Sequence, residues 1–351
     1  MLSVKENFLE TIKPNGKPDR LVNCYEFMGL LFAPATGLEH HSAGPGQTAK
    51  DGFGVTWKWG LGQPAAAPWH TPETLVLDDI TKWRETVVFP KIDVPLDYGP
   101  SVAKKEGYEA AGLLSTVLLP AGIFERMHML LGFEGALVSI MEEPEAFGEL
   151  AAALGDFKMT HARLIVENIK PEAVLIHDDW GLKTNLFMPP DLWREFLMPH
   201  YARLNKYFKD NGVVTIHHAD SFMEPIAVDM SEIDTDCWQG VLPQNDIGKM
   251  QRELAGRMAL MGGLDAAIVD TEEADEATIR AHVRDACVRF GPAGHFIPSY
   301  TYGGYATKND LIYPGKQVFI EDEINKYNKE TYGVASSDDP AWGTCELTPF
   351  N

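Results

Sequence analysis

Along the chain, short unbroken apolar runs alternate with longer stretches in which apolar residues recur every three or four positions. The runs at residues 21–27, 115–120, 173–178, 213–218, 237–242, 258–262 and 296–300 are compact and continuous, as expected of parallel strands buried on both faces. Between them, Pro189-Pro190-Asp191 opens a helix with Leu192, Phe196, Leu197, Leu204 and Phe208 on one stripe, kinked at Pro199 and closed by Asn211-Gly212. A second helix is expected over 272–290, with Ile279, Val283, Ala286 and Phe290 on one side before Gly291-Pro292, and a third over 143–169. Strand then helix, repeated through most of the 351 residues, predicts an α/β fold of the (β/α)8 TIM barrel type. No G-x-G-x-x-G follows a first strand, which disfavours a doubly wound dinucleotide fold.

Two regions stand outside this rhythm. Residues 43–72 are rich in Gly, Pro and aromatics, including Trp57, Trp59 and Trp69, and read as a lid-like excursion covering the barrel mouth, although a Trp cluster serves packing equally well. Residues 334–351 form a polar tail in which Trp342 and Phe350 are candidate anchors to a neighbour. The expected organisation is one barrel domain, 1–333, followed by that tail.

Composition narrows the partners. Lys+Arg 30 against Asp+Glu 51 leaves a formal net charge of −21, which argues against nucleic acid, because binding to phosphate backbones is driven by basic side chains displacing counterions. No apolar run approaches the roughly 20 residues of a membrane span, and the first residues lack a signal-peptide pattern, so a cytoplasmic enzyme is expected. Cys24, Cys237, Cys287 and Cys345 show no C-x-x-C spacing, so reduced thiols fit best, with Cys237 and Cys287 as core filling. A homodimer is the default assembly.

In such a barrel the chemistry lies at the carboxyl ends of the strands. The residues just after each run are strongly polar: Glu26, Glu125 and Arg126, His177-Asp178-Asp179, His217-His218-Ala219-Asp220, Gln239, Gln244, Asp265, Tyr300 and Tyr302. A strand alternates its side chains, so His217 and Ala219 face one way while His218 and Asp220 face the other. The histidine pair is open to two readings, a site or a locally satisfied strand end. Asp179 is the acid expected to face the mouth, with a helix cap or a buried acid hydrogen-bonded to backbone amides as its bland alternative, and Asp265 either orients a polar ligand or caps the next helix. Gly262-Gly263 allows chain or ligand to approach a backbone closely.

Together, Pro18-Asp19-Arg20, His177-Asp178-Asp179-Trp180-Gly181, Met188-Pro189-Pro190 before Trp193-Arg194-Glu195-Phe196, His217-His218-Ala219-Asp220, Gly262-Gly263-Leu264-Asp265 and Gly291-Pro292-Ala293-Gly294 resemble the uroporphyrinogen decarboxylase superfamily. The resemblance implies a (β/α)8 barrel and either a decarboxylase or a methyltransferase working with a corrinoid protein. Porphyrinogen decarboxylases carry an arginine-rich N-terminal segment, whereas residues 24–41 contain no Arg or Lys. An acidic chain also repels a polyacidic tetrapyrrole.

Relatives that methylate coenzyme M hold zinc on an H-x-C pair and a second cysteine after the last strand. With His217 read as the first of that pair, the cysteine position is Ala219, and the later region reads Pro298-Ser299-Tyr300-Thr301-Tyr302. Missing thiolates point away from a thiol acceptor and towards release of a methyl group from oxygen, where the leaving alkoxide or phenoxide must be coordinated or protonated.

The expected activity is therefore demethylation of a small donor, a methoxylated aromatic foremost, with the methyl passed to cobalamin on a partner corrinoid protein. Asp179, His217, His218 and Tyr300 are the candidate catalytic residues. Glu26, Glu125, Arg126, Asp178, Gln239, Gln244, Asp265 and Trp57 are candidates for substrate binding. His217, His218, Asp220 and Glu224 are candidate ligands for zinc. The alternatives are a decarboxylase or lyase of a small acid, with Asp179 as acid/base and Arg126 as carboxylate anchor, and a non-catalytic ligand-binding barrel.

Overall fold

Seven parallel strands join in one sheet in the computed structural model, which describes residues 1–61, 63, 65–300, 313 and 315–342. They are β1 (Met28–Phe32), β2 (Leu114–Leu119), β3 (Ala173–His177), β4 (Val214–His218), β5 (Cys237–Val241), β6 (Ala259–Leu264) and β7 (Phe296–Tyr300). Each is hydrogen-bonded in parallel to the next in sequence. Helices make the crossovers, among them Ile123–Leu131 and Pro144–Asn168 between β2 and β3, and Glu276–Phe290 between β6 and β7. Sequential parallel strands with helical crossovers are the (β/α)8 barrel architecture.

Six expected strands lie where the apolar runs place them, and the kink at Pro199 appears as a break between the helices Pro190–Phe196 and Met198–Asp210. The first strand does not. Residues 21–27 form successive turns, with Cys24 in the left-handed region at φ 51° and hydrogen bonds from Glu26 N to Asn23 O and from Met28 N to Tyr25 O. The run is apolar because it is buried before β1, where Phe27 stacks on Phe8 with ring centroids 3.6 Å apart. Burial, not extension, accounts for its apolar character. Among the described residues no ladder joins β7 to β1. Tyr25 connects them instead, donating its hydroxyl proton to the Tyr300 carbonyl at 3.2 Å.

The excursion forms a small antiparallel sheet of Thr48–Lys50, Thr56–Lys58 and Ala67–Pro68. It is anchored to the helices following β2: Phe53 packs edge-on against Phe157, and Asp51 is ion-paired to Arg126. The start of the tail docks on the N-terminal helix, where Asp339 accepts the amide of Val4 at 2.8 Å. No helix among the described residues is long and apolar enough to cross a membrane. Tyr302, Cys345 and Phe350 lie outside the described residues.

Candidate active site

Alternation along the strands decides which side chains enter the barrel. Leu30, Leu118, Leu175, Ile216 and Met261 share one apolar cluster, while Leu31, Val117, Val174, Ile176 and Leu260 belong to another. The first set fills the barrel interior and the second packs under the helices. Two residues beyond Leu175 and Ile216, on the same inward face, stand His177 and His218 at the carboxyl ends of β3 and β4.

Their rings stack, centroids 4.3 Å apart and planes 23° from parallel. His177 Nδ1 lies 2.8 Å from Glu125 Oε2, a carboxylate delivered by the first turn of the helix Ile123–Leu131. Asp179 joins them, and one ligand atom from each of Glu125, His177 and Asp179 lies within 4.8 Å of the others. Asp220 N donates to Asp179 Oδ1 at 3.0 Å.

Three carboxyl groups thus meet around imidazoles in a largely buried place, with His177, Asp179 and Asp220 partly open to solvent. Burial favours the uncharged form of each carboxyl, but His177 outweighs it at Glu125 and holds that group down at about 2. At Asp179 the same imidazole does not outweigh burial. Burial, and then the charges of Asp220 and Glu125, push it well above the usual carboxylate range. Asp220 is raised to about 6, chiefly by burial. Burial pushes His217 and His218 down to about 3, so both are neutral imidazoles at physiological pH. The pair Asp179 and Asp220 is short of positive charge, a deficit that a shared proton or a bound cation relieves.

The remaining candidates divide by place. His217 points out of the barrel, its Nε2 bonded to the Asp178 carbonyl at 3.0 Å and its ring 4.1 Å from that of Trp180. Ala219 shares that outward side. On the inward face the residue two positions beyond His218 is Asp220, a carboxylate. Asp178 accepts hydrogen bonds from the amides of Phe124 and Glu125, the Trp180 indole and the Tyr201 hydroxyl, which makes it the cap of the helix carrying Glu125.

Other residues lie away from this cluster or are held by internal partners. Gln239 is wholly buried behind His218, bonded through Oε1 to His218 Nδ1 and through Nε2 to the Tyr25 hydroxyl. Tyr300 is buried with its ring against Tyr25. Arg126 is 1% exposed, its guanidinium bonded to Asp51 and the Glu39 carbonyl, and Trp57 donates to the same Asp51 while stacking on His41. Gln244 donates to Asp265, which caps the short helix Ala266–Val269. Glu224 is bonded to Lys249 at 2.9 Å and to the Asp246 amide. Glu26 precedes β1, at the amino end, where burial raises it to about 7. Gly262, at φ 151°, brings its α-carbon against β5, since a Cβ there would lie 2.4 Å from the Val241 carbonyl oxygen; it is chain, not ligand, that approaches.

His177 was not singled out in the sequence, although the register that turns His218 inward from Ile216 also turns His177 inward from Leu175. The donor set Glu125, His177 and Asp179 is nitrogen and oxygen only. The described cysteines are all buried free thiols, and burial pushes each up, Cys287 to about 12. Such a set fits a hard or borderline divalent ion.

No curated protein sequence matches the chain. In fold it is similar to a methyltransferase from Methanosarcina mazei, at 12% identity and a TM-score of 0.63, covering 93% of this chain and 99% of that one. An endo-beta-N-acetylglucosaminidase from Cordyceps militaris, at 12% identity, covers 68% of this chain and 78% of its own, and its TM-score of 0.34 carries no argument. The model of the family described as uroporphyrinogen decarboxylase (URO-D) matches residues 103–301, more than half of the chain and the stretch holding Glu125, His177, Asp179, His218 and Asp220, so the protein belongs to the uroporphyrinogen decarboxylase family.

Proposed function

We propose that this protein is the methyltransferase component of a corrinoid-dependent demethylation system, removing a methyl group from oxygen of a small donor, a methoxylated aromatic foremost. The observation that carries this reading is the acid pair Asp179 and Asp220 beside the stacked imidazoles, at the carboxyl ends of β3 and β4. Cleavage of a methyl–oxygen bond leaves an alkoxide or phenoxide, and the step is slow unless that oxygen is protonated or coordinated as the bond breaks.

Asp179, whose carboxyl is pushed well above the usual carboxylate range by burial and then by the charges of Asp220 and Glu125, is the acid that delivers a proton to the departing oxygen. Asp220 sustains the raised affinity of Asp179 by its own charge. Glu125 and His177 orient one another, and with Asp179 they are the residues that would hold a divalent metal such as zinc. When bound, such an ion would take the place of the Asp179 proton and supply Lewis acidity towards the leaving oxygen. Cob(I)alamin on a partner corrinoid protein is the methyl acceptor that the family resemblance implies, and the fold is one shared with a methyltransferase from Methanosarcina mazei.

The second reading, a decarboxylase or lyase of a small acid, needs a cationic anchor. Arg126, the arginine at the strand ends, is already bonded to Asp51, and that observation favours methyl transfer. Anaerobic incubation with cob(I)alamin and a panel of methoxyarenes tests the proposal. Loss of the Co(I) absorbance with appearance of methyl-Co(III) and free phenol is expected. No cobalt methylation with any donor, together with carbon dioxide release from a carboxylic acid, overturns it.

A further inference from the structure

Behind the candidate site a hydrogen-bonded chain crosses from the β7–β1 seam to β4. The Tyr25 hydroxyl donates its single proton to the Tyr300 carbonyl, so towards Gln239 it can only accept, and Gln239 Nε2 donates to it at 2.8 Å. That fixes the direction of the amide. With its nitrogen turned to Tyr25, Gln239 presents Oε1 to His218 Nδ1. An amide oxygen has no proton to give, so Nδ1 must carry one. In a neutral imidazole the other nitrogen, Nε2, is then bare.

His218 is itself 3% exposed, and a buried imidazole without a carboxylate on its ring nitrogens is favoured uncharged. Gln239 is wholly buried and Tyr25 nearly so, which keeps water from offering the amide a different partner. Among the described residues no hydrogen bond reaches His218 Nε2.

We propose that Gln239 and Tyr25 are positioning residues that lock His218 as the Nδ1-protonated tautomer, leaving Nε2 as an open lone pair at the barrel mouth. Such a nitrogen accepts a hydrogen bond or ligates a metal, whereas the opposite tautomer would present an N–H donor instead. What the lone pair is used for rests on the proposed function; the tautomer does not.

The test is long-range ¹H–¹⁵N correlation on ¹⁵N-histidine-labelled protein, with the His218 signals assigned by their loss in His218→Ala. In the wild type we expect Nδ1 protonated and Nε2 unprotonated, as a single species. Gln239→Leu and Tyr25→Phe release the constraint, and the Nε2-protonated tautomer becomes visible in both. Gln239→Glu keeps an acceptor against Nδ1, so it retains the single Nδ1-protonated tautomer.

Nε2–H in the wild type overturns the proposal, as does a single Nδ1–H species that survives in Tyr25→Phe. Because the wild type and the mild Tyr25→Phe change decide the matter, a Gln239→Leu chain that fails to fold does not leave it open. Failure of cobalt methylation would refute the proposed function while leaving these spectra unchanged.

Discussion

The rings of His177 and His218 lie face to face, 4.3 Å between centroids, each placed there by the last inward position of its strand. Adjacent parallel strands in register, with His177 paired to His218, make the stack a consequence of the ladder rather than of side-chain choice. His217, one residue earlier, is on the other side of the sheet. His218→Ala is therefore expected to lower methyl transfer by about a hundredfold or more, and because it strands the buried Gln239 Oε1 it should also cost about 1–3 kcal/mol of stability. His217→Ala removes a ring packed on Trp180 and should cost about 2–4 kcal/mol of unfolding free energy. Urea unfolding and single-turnover cobalt methylation on both variants check this; equal activity loss with equal destabilisation would contradict it.

Asp178 and Gly122 form a second coupled pair. A Cβ at residue 122 would sit 2.1 Å from Asp178 Cβ and 2.5 Å from the Tyr201 hydroxyl, so only glycine lets the helix Ile123–Leu131 start against its cap. Gly122→Ala and Asp178→Ala should each destabilise by about 2–4 kcal/mol and displace Glu125. Circular dichroism melts and zinc binding to the two variants should fall together.

Much of this was legible in the chain. Continuous apolar runs located six strands, and the carboxyl-end rule collected Glu125, Asp179, His218 and Asp220 before any contact was known. The failures have physical causes. Residues 21–27 are apolar because they are buried, and Cys24 at positive φ carries no sequence signature. Arg126 and Gln239 read as substrate contacts because their partners, Asp51 and Tyr25, are 75 and 214 residues away in sequence. Choosing between His217 and His218 required the register of β4, which Ile216 supplies only once the barrel interior is identified.

Arg126 is a stability residue if its guanidinium is committed to Asp51. Both side chains are at most 1% exposed, so removing one leaves a buried charge unpaired. Arg126→Ala should cost about 3–5 kcal/mol and expose the 43–72 excursion to limited proteolysis. A stable Arg126→Ala protein with a raised KM for an acidic substrate would instead restore the decarboxylase reading.

Zinc binding at Glu125, His177 and Asp179 requires Asp179 to release the proton that its surroundings favour. Affinity measured by calorimetry should therefore rise from pH 5.5 to 8, with protons released on binding in proportion to buffer ionisation enthalpy. Glu125→Gln and Asp179→Asn should each weaken binding by tenfold or more. Unchanged affinity in both variants would place any metal elsewhere.

Asp220→Asn separates stability from activity, and the sign follows from the direction of its shift. In the folded chain the Asp220 carboxyl titrates at about 6 rather than the ordinary 3.8. A carboxyl raised on folding contributes most below its unfolded value, and the contribution is lost as pH rises through the folded one. Asparagine cannot ionise and escapes that loss. Asp220→Asn should accordingly be more stable than wild type at pH 8 by on the order of 2 kcal/mol, with the advantage gone by pH 3.5. The same change removes the charge that helps hold the Asp179 proton, so Asp179 ionises at lower pH. The alkaline limb of the methyl-transfer rate should then move to lower pH, with the rate at pH 8 reduced by about tenfold or more. Melts across this pH range and a pH–rate profile decide it, and a variant less stable than wild type at pH 8, or an unmoved alkaline limb, removes Asp220 from the role given to it.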